Sequence, residues 1–263
     1  MKIGIVGCAG RMGQMLVHTV AETAGAELAG GTELPGSPAV GKPVIGGAEG
    51  LRVTDDAAAL FAASDAVIDF TLPGATVGHA ELAAEHCTPL ILGTTGLSEI
   101  EQAAVDRAAE KTAVVQAANF SLGVNLLLNL TRQVAGILGD DYDIEIVEMH
   151  HRHKVDAPSG TALALGVAAA EGRGVDLTEK SQRVRDGHTG ERRPGDIGFA
   201  TLRGGDVVGE HTVLFAGQAE RLELTHKATS RAIFARGAVR AALWTEGKVP
   251  GLYSMRDVLG FGD

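Results

Sequence analysis

The segment HHRHKVDAPSGT, residues 150–161, combines residue types that move protons with residue types that bind anions. Its histidines exchange protons near neutral pH, and Lys154 adds a positive charge beside them. Residues 159–161 lead into an apolar stretch that predicts a helix, and the backbone N–H groups at a helix start bind carboxylates and other anions. We therefore predict a proton-transfer site next to an anion-binding helix start.

Other chemistries fit this segment less well. Zinc sites on helices use histidines at positions i and i+4, whereas the adjacent His150 and His151 at a strand end point to opposite faces. We predict no metal, and metal ligation and a purely structural cluster remain as alternatives. Asp156 is typical of a turn or a helix cap. Ser159 lacks the G-x-S-x-G elbow of a nucleophile and suits the start of a helix.

A glycine-rich turn, GCAGRMG at residues 7–13, separates a predicted strand from a predicted helix. Such a turn brings the backbone close to a pyrophosphate and lets the helix pack tightly on the strand. The spacing is GxxGxxG rather than the common GxGxxG, and no Gly-Lys-Ser/Thr follows as it does in a P-loop. The strand–turn–helix context predicts a dinucleotide site, with a purely structural turn as the alternative.

Glu33 follows the second predicted strand, 20 residues after Gly13. An acidic residue at this place accepts hydrogen bonds from the adenosine ribose; the alternative is a solvated loop carboxylate. The next residue is Leu34, where a 2′-phosphate would favour an arginine, so the local sequence favours NADH over NADPH. Arg11 could serve a 2′-phosphate from the other side, which keeps NADPH open.

Three more segments follow predicted strands of the same sheet: Phe70-Thr71, GTTG at residues 93–96, and AANF at residues 117–120. Ligands of open α/β sheets bind beyond the carboxyl ends of the strands, and small residues there let a nicotinamide ring approach the backbone. Ordinary turn formation is the alternative. Arg231 reaches the cofactor if the last predicted helix returns to the first domain, whereas residues 226–227 are predicted to be structural.

The order of the predicted elements indicates the fold class. Short apolar runs alternate with helical patterns in the first half, which predicts βαβ units and a parallel sheet covered by helices on both faces. Residues 34–50, rich in Gly and Pro, predict a loop. After Asn119, three strand-like runs separated by turns predict a mixed or antiparallel sheet. The predicted strands are Lys2–Val6, Ala26–Thr32, Ala66–Phe70, Pro89–Gly93, Ala113–Ala117, Tyr142–His150, Gly198–Arg203, Gly209–Phe215 and Arg221–His226; the predicted helices are Arg11–Thr23, Asp56–Ala62, Ala75–Glu85, Ser98–Lys111, Val124–Leu138, Ala162–Glu171 and Ile233–Thr245.

We therefore expect an α/β protein with an N-terminal Rossmann-type doubly wound parallel sheet and a C-terminal α+β domain with a mixed open sheet. The net charge of −10 and the 4% of aromatic residues argue against nucleic-acid binding. Four arginines between residues 183 and 193 are interpreted as a solvated loop. No apolar run reaches the ~18 residues of a membrane span, and the first residues predict a strand rather than a signal peptide. With two cysteines only, no disulfide framework is expected, and a cytoplasmic location is predicted.

Together these segments resemble 4-hydroxy-tetrahydrodipicolinate reductase, also called dihydrodipicolinate reductase, an enzyme family of bacterial lysine and diaminopimelate biosynthesis. The resemblance covers nearly the whole chain and is most specific in EMHHRHKVDAPSGTA, residues 148–162. It implies NADH- or NADPH-dependent reduction of a small cyclic dicarboxylate, and a homotetramer formed through the sheet of the second domain. It also implies two domains, residues 1–121 with 231–263 for the dinucleotide and residues 122–230 for substrate binding and oligomerisation.

The resemblance assigns roles residue by residue. His150 matches the catalytic acid, and Lys154 matches a second proton donor that also contacts the substrate. Gly160 and Thr161 match the residues that hold a substrate carboxylate. The predicted substrate contacts are His151, Lys154, Ser159, Gly160 and Thr161. The predicted cofactor contacts are Gly7, Cys8, Ala9, Gly10, Arg11, Met12, Glu33, Phe70, Gly93, Thr94, Thr95, Ala117, Ala118, Asn119, Phe120 and Arg231.

Two positions depart from the family pattern. The family often carries arginine where this chain has Leu34, and some members carry arginine where it has Leu72, so both departures favour NADH. The implied reaction transfers a hydride to C4 of an unsaturated ring, with loss of the 4-hydroxyl as water as a first step left open. Two other functions remain: a reductase of a different small dicarboxylate or semialdehyde, and a non-catalytic NAD(P)-binding sensor, which would not need His150 and Lys154 together.

Overall fold

The computed structural model describes residues 1–47 and 49–261. The chain divides into two compact units, one formed by Met1–Leu122 with Ala232–Asp263 and the other by Gly123–Arg231. Residue 48 of the predicted loop and residues 262–263 of the predicted first domain lie outside the described residues. Among the helices of the described ranges, none is both long enough and apolar enough to cross a membrane.

The secondary structure follows the predicted alternation. The strands are β1 (Lys2–Val6), β2 (Glu27–Thr32), β3 (Ala66–Asp69), β4 (Leu90–Leu92), β5 (Ala113–Gln116), β6 (Asp143–His150), β7 (Ser181–Gln182), β8 (Ile197–Arg203), β9 (Gly209–Ala216), β10 (Arg221–Ala228) and β11 (Gly251–Tyr253). The helices are α1 (Arg11–Glu22), α2 (Ala57–Ala63), α3 (Pro73–His86), α4 (Glu99–Ala109), α5 (Leu122–Leu138), α6 (Gly160–Arg173), α7 (Leu177–Lys180), α8 (Ala232–Trp244) and α9 (Met255–Leu259).

The first unit contains a parallel sheet with the strand order β11-β5-β4-β3-β1-β2. Successive strand residues point to opposite faces, so Ile68 of β3 packs with α1 and α8 whereas Val67 packs with α2, α3 and α4. This arrangement confirms the predicted doubly wound sheet. Because β1 lies between β2 and β3, its carboxyl end is the switch point at which ligands bind in such sheets.

The second unit contains a mixed sheet with the order β10-β9-β6-β8-β7, as predicted. The central strand β6 pairs in parallel with β8 and antiparallel with β9. Ile144 and Ile146 of β6 are buried with residues of α5 and α6, such as Leu127 and Leu165. Since the side-chain period of a strand is two, the same buried face of β6 continues to residues 148 and 150.

The structure differs from the predicted elements mainly at the ends and in short segments. Helix α6 begins at Gly160, two residues earlier than predicted, because the Ser159 hydroxyl accepts a hydrogen bond from the Ala162 N–H at 3.2 Å and caps it. The short elements α7, β7, β11 and α9 were not predicted. Strand β11 has three residues, which is too few for a visible period, and its pairing with β5 makes it a strand.

Candidate active site

A buried carboxylate, Glu148, lies at the centre of a polar cluster near the carboxyl end of β6, and its side chain is 1% exposed. Its Oε1 accepts hydrogen bonds from the Ser159 N–H at 3.0 Å and from Arg203 Nη2 at 2.9 Å. Its Oε2 accepts one from Arg203 Nη1 at 2.8 Å and lies 2.6 Å from His150 Nδ1. Burial alone would raise the pKa of Glu148, but these hydrogen bonds outweigh it and lower the pKa. Glu148 is therefore ionised at neutral pH.

The imidazole of His150 is buried at the last residue of β6. Burial lowers its pKa below the ordinary value; Glu148 opposes this, and the charges of Lys154 and Arg203 reinforce it. Nδ1 faces Glu148, and a Cβ built on Gly209 would lie 2.9 Å from the other ring nitrogen, Nε2. The backbone of Gly209 therefore lies close to Nε2, and a side chain at residue 209 would displace the imidazole.

A second histidine, His211 of β9, packs edge-on against His150 with the ring centroids 5.1 Å apart. Its Nε2 lies 3.0 Å from the Ser159 hydroxyl. Burial, together with the neighbouring charge at His150, lowers the pKa of His211 to about 4. His211 is therefore neutral at pH 7 and adds no positive charge beside His150.

Lys154 lies in the loop that follows β6 and is tied to the same cluster. Its Nζ forms an ion pair with Asp156 Oδ1 at 2.8 Å, and the Lys154 side chain is about one-fifth exposed. Arg203, which holds Glu148, also donates from Nη2 to the Asp156 carbonyl at 2.7 Å. Arg203 therefore links the loop that carries Lys154 and Asp156 to the buried carboxylate of Glu148.

The histidines of this segment do not converge on one point. The rings of His151 and His153 lie beside each other with centroids 6.2 Å apart, whereas His150 packs with His211. Over residues 1–47 and 49–261, no group of three or more His, Cys, Asp or Glu side chains is placed to hold a metal ion.

At the start of α6, Ser159 is buried in the protein whereas Gly160 is exposed. Ser159 is buried, with its N–H directed to Glu148 and its hydroxyl in contact with Ala162 and His211. Gly160 is exposed, and a Cβ built on it would meet nothing within 4 Å. The first N–H groups of a helix have no intrahelical acceptor, which suits them to anions. The accessible part of the predicted carboxylate site is therefore at Gly160 and the half-buried Thr161, and Ser159 is engaged inside the protein.

In the first unit, the glycine turn has the geometry of a nucleotide loop. Gly7 has φ +69°, which favours glycine, and a Cβ on Gly13 would overlap the Gly7 carbonyl oxygen. Glu33 lies against this turn, with its Oε1 accepting a hydrogen bond from the Ala9 N–H at 2.8 Å. The thiol of Cys8 belongs to the core, and burial, with the charge of Glu33, raises its pKa to about 11. Gly10 precedes α1, and Arg11 and Met12 open it.

The strand ends predicted to border the cofactor come together. Gly93, after β4, leaves room for the ring of Phe70, after β3, because a Cβ on Gly93 would overlap that ring. The rings of Phe70 and Phe120 have centroids 5.3 Å apart, and Thr94 Oγ1 donates to the Thr71 carbonyl at 3.3 Å. Thr95 lies next to Thr94 in the segment after β4, and residues 117–119 connect β5 to Phe120. These segments therefore lie side by side beyond the carboxyl ends of their strands.

A buried carboxylate, Asp69, which the sequence did not predict to take part, supports the turn after β3. Asp69 is fully buried, and its Oδ2 lies 2.7 Å from His79 Nδ1 of α3. Its Oδ1 accepts hydrogen bonds from the Thr71 N–H at 2.7 Å and from the Thr71 hydroxyl at 2.6 Å. Burial would raise the pKa of Asp69, but the bonds from His79 and Thr71 outweigh it and lower the pKa. The turn that contains Phe70 is therefore held by hydrogen bonds to the buried carboxylate of Asp69.

The last long helix, α8, belongs to the first unit, and a Cβ on Gly237 of this helix would overlap the Phe120 carbonyl. The return of this helix to the first unit was the condition under which Arg231, the exposed residue before α8, was predicted to reach the cofactor. The arginines at 183–193 lie in a loop, as interpreted, but two of them also pair with a carboxylate of the sheet. Arg185 and Arg192 both bind Glu145 of β6, at 2.8 and 2.9 Å, because the strand presents a carboxylate there.

Comparison with known families decides the relationship of this chain. A family model described as dihydrodipicolinate reductase, N-terminus, matches residues 1–120, and one described as dihydrodipicolinate reductase, C-terminus, matches residues 123–259.

The chain belongs to the dihydrodipicolinate reductase family.

This membership confirms the predicted family and makes the chain an oxidoreductase. A relative named 4-hydroxy-tetrahydrodipicolinate reductase from Ruegeria sp. (strain TM1040) is 59% identical over 262 residues, covering 98% of this chain and 97% of the relative. One of the same name from Afipia carboxidovorans is 54% identical over 266 residues, covering 100% and 98%. The solved dihydrodipicolinate reductase from Paenisporosarcina sp. TG-14, with dipicolinate bound, superposes with a TM-score of 0.77 at 25% identity and 97% coverage of each chain.

Within this dihydrodipicolinate reductase fold, sequence reasoning missed three members of the cluster: Glu148, Arg203 and His211. The sequence pattern could have indicated Glu148, because Glu148 lies two residues before His150 on a strand and so shares its buried face. No local sequence pattern places Arg203 or His211 beside His150. Arg203 is the cross-strand partner of His150, and His211 is that of Glu148, and only the strand pairing brings them there.

Proposed function

We propose that the chain reduces 4-hydroxy-tetrahydrodipicolinate to tetrahydrodipicolinate, and that His150 supplies the proton that this reaction requires. Family membership supports the reaction, and the dipicolinate bound to a related structure supports a cyclic dicarboxylate as the ligand. The observation that carries the role of His150 is its placement at the end of β6, with Nδ1 held by Glu148 and with Nε2, beside the backbone of Gly209, not engaged by that carboxylate.

In the proposed reaction, the ring loses its 4-hydroxyl and a ring proton as water, which leaves a conjugated imine. C4 then gains a hydride, the conjugated electrons shift along the imine, and the far carbon takes a proton from His150 Nε2. The lowered pKa of His150 favours release of this proton. The ion-paired Glu148 keeps the ring oriented and stabilises its charged form before transfer. A positioned acid of this kind contributes roughly 10²–10⁴-fold to the rate.

The substrate carboxylates require positive charge and N–H donors. Lys154 supplies the charge, since its present partner Asp156 is half exposed and can be exchanged for a substrate carboxylate. The start of α6 at Gly160 and Thr161 supplies backbone N–H groups. His151 is proposed as a further contact. Together these groups would hold the ring in one orientation, which lowers the barrier by proximity.

The first unit fits a nicotinamide dinucleotide, which supplies the hydride when it is bound. The Gly7 turn with its positive φ, the close approach of α1, and Glu33 at the turn fit the pyrophosphate and the ribose. We assign the dinucleotide to residues 1–121 with 231–263 and the substrate to residues 122–230. Leu34 and Leu72 are 69% and 74% exposed and carry no charge for a 2′-phosphate, so NADH is the proposed preference.

The homotetramer is proposed to form through the sheet of the second unit. The face of this sheet opposite its core carries apolar side chains at Val147, Met149, Leu202 and Leu214, of which Leu202 is 51% exposed. Burying such a face contributes roughly 25 cal/mol per Å² of apolar surface. A cytoplasmic site of action, predicted from the cysteine content, is part of the same proposal.

The test is turnover by the purified chain, with the substrate made in situ by the upstream synthase and nicotinamide absorbance followed. We expect oxidation of NADH that depends on the synthase product. Absence of oxidation with both NADH and NADPH would favour a sensor, and oxidation only with other dicarboxylates or semialdehydes would favour a different reductase.

A further inference from the structure

Glu148 occupies a position of β6 at which the alternation of buried and partly buried residues predicts an apolar side chain. Ile144 and Ile146 precede it on the same buried face, and the Glu148 side chain is 1% exposed. Burying a carboxylate is costly unless it is fully paired. Hydrophobic packing therefore does not explain why a carboxylate is buried at this position.

The two oxygens of Glu148 divide their contacts between the proton-transfer residue and the start of α6. Oε2 lies 2.6 Å from His150 Nδ1, and Oε1 accepts the Ser159 N–H at 3.0 Å. Arg203 binds both oxygens in a bidentate pair at 2.8 and 2.9 Å, which fixes the plane of the carboxylate. A rotation of this carboxylate would therefore move both groups.

The same guanidinium extends this link to the loop between β6 and α6. Arg203 Nη2 donates to the Asp156 carbonyl at 2.7 Å, and Asp156 is the ion-pair partner of Lys154. The proposed acid, the proposed lysine and the helix start are thus connected to one buried ion pair. All of these contacts lie within the second unit.

We propose that Glu148 is the positioning residue of this site: its carboxylate, fixed by Arg203, holds the His150 ring by Nδ1 and fixes the start of α6 relative to that ring. This inference rests on the proposed role of His150. Glu148 does not touch the reacting atoms and acts through His150 and Ser159.

The charged and titratable groups that face His150 are Glu148 on β6, Arg203 on β8, His211 on β9 and Lys154 in the loop. Of these, Glu148 raises the pKa of His150, whereas Arg203 and Lys154 lower it. Glu148→Gln therefore shifts the limb of the pH–rate profile that belongs to His150 to lower pH. Arg203→Gln removes a charge of the opposite sign and shifts the same limb to higher pH.

The experiment measures kcat, KM and the pH profile of Glu148→Gln, Glu148→Asp and Arg203→Gln. We expect Glu148→Gln to lower kcat about 10- to 100-fold, as misplacement of a reacting group by ~1 Å does, with unchanged dissociation of NADH. Glu148→Asp keeps the charge but shortens the reach, so we expect the pH limb to return toward its original place while kcat stays reduced. Glu145→Gln is the matched control, because Glu145 lies on the same strand and is bound by two arginines on the opposite face.

A merely structural Glu148 would give a lower melting temperature with the original pH profile and kcat, and this result would overturn the inference. The His150→Ala background separates the two proposals. If His150→Ala itself turns over at the original rate, the proposed role of His150 fails. If His150→Ala is slow and Glu148→Gln slows it further by its full factor, the role of His150 stands and the positioning by Glu148 fails; we expect little further loss.

Discussion

Gly209 and His150 are packed so closely that one methyl group at residue 209 would come within 2.9 Å of His150 Nε2 and 3.3 Å of its Cδ2. Gly209 begins β9, and its φ is not in the left-handed region, so the backbone does not require glycine there. The requirement comes from the close approach of the imidazole to the backbone of residue 209. A side chain at this position would displace the ring that Glu148 holds by Nδ1.

Gly209→Ala tests this relationship. We expect kcat to fall about 10- to 100-fold, because the imidazole must shift while its other nitrogen stays bound to Glu148. NADH affinity should change little, whereas the melting temperature should fall, because the added methyl group overlaps a buried ring. Gly78→Ala in α3 is the control, since a Cβ there meets nothing within 4 Å. Equal activity of the two variants would show that turnover does not depend on the position of the His150 ring beside Gly209.

His150→Ala removes the proposed acid. The expected loss in kcat is roughly 10²–10⁴-fold, the contribution of a positioned acid, with NADH binding measured by fluorescence left unchanged. His153→Ala, in the exposed part of the same segment, serves as the matched control. An undiminished kcat in His150→Ala would remove His150 from the mechanism.

Lys154→Ala removes the positive charge proposed for the substrate carboxylate. We expect a higher KM for the substrate and a lower kcat, because both binding and orientation depend on this charge. Lys154→Arg keeps the charge and should recover KM more than kcat. Asp156→Asn, which removes the ion-pair partner at 2.8 Å, should have a smaller effect. A Lys154→Ala variant altered only in NADH affinity would contradict the assignment.

Leu34→Arg tests the cofactor preference. Leu34 directly follows Glu33 and is 69% exposed, so an arginine there meets no steric barrier. A hydrogen bond to a charged group contributes about 1.5–3 kcal/mol, so kcat/KM for NADPH relative to NADH should rise roughly 10- to 100-fold. Ile100→Arg adds the same charge at another exposed apolar position and should leave the ratio unchanged. A strong NADPH preference of the original chain would refute the argument from Leu34.

His211 makes stability depend on pH. Its pKa is about 4 in the folded chain and near 6.5 when unfolded, so the unfolded chain binds the proton more readily between these values. The contribution of neutral His211 is complete above pH 6.5 and is lost as pH falls toward 4. At pH 5 the expected loss is about 2 kcal/mol. His211→Gln should remove this part of the pH dependence in chemical denaturation at pH 7 and pH 5, whereas parallel losses in the two proteins would contradict it.

Much of the fold and of the site was predictable from the sequence because the signals are local. The GCAGRMG turn has a strand before it and a helix after it, and the structure places Glu33 against that turn, 2.8 Å from the Ala9 N–H. The alternation of apolar runs predicted the doubly wound sheet. Segment 150–161 showed the helix start that the structure has at Gly160 and the residues proposed as the acid and the lysine, since residue chemistry and spacing are visible within a dozen residues.

Only the tertiary structure decided what surrounds these residues. Arg203 lies 55 residues from Glu148 along the chain, and the parallel register of β6 and β8 brings them together. The antiparallel register of β6 and β9 places His211 and Gly209 at His150 in the same way. Strand register depends on long-range pairing and on burial of one face, so no local pattern specifies it. The sequence by itself determined which groups are proposed to carry the chemistry; the pairing of strands determined which charged and polar groups each of them contacts.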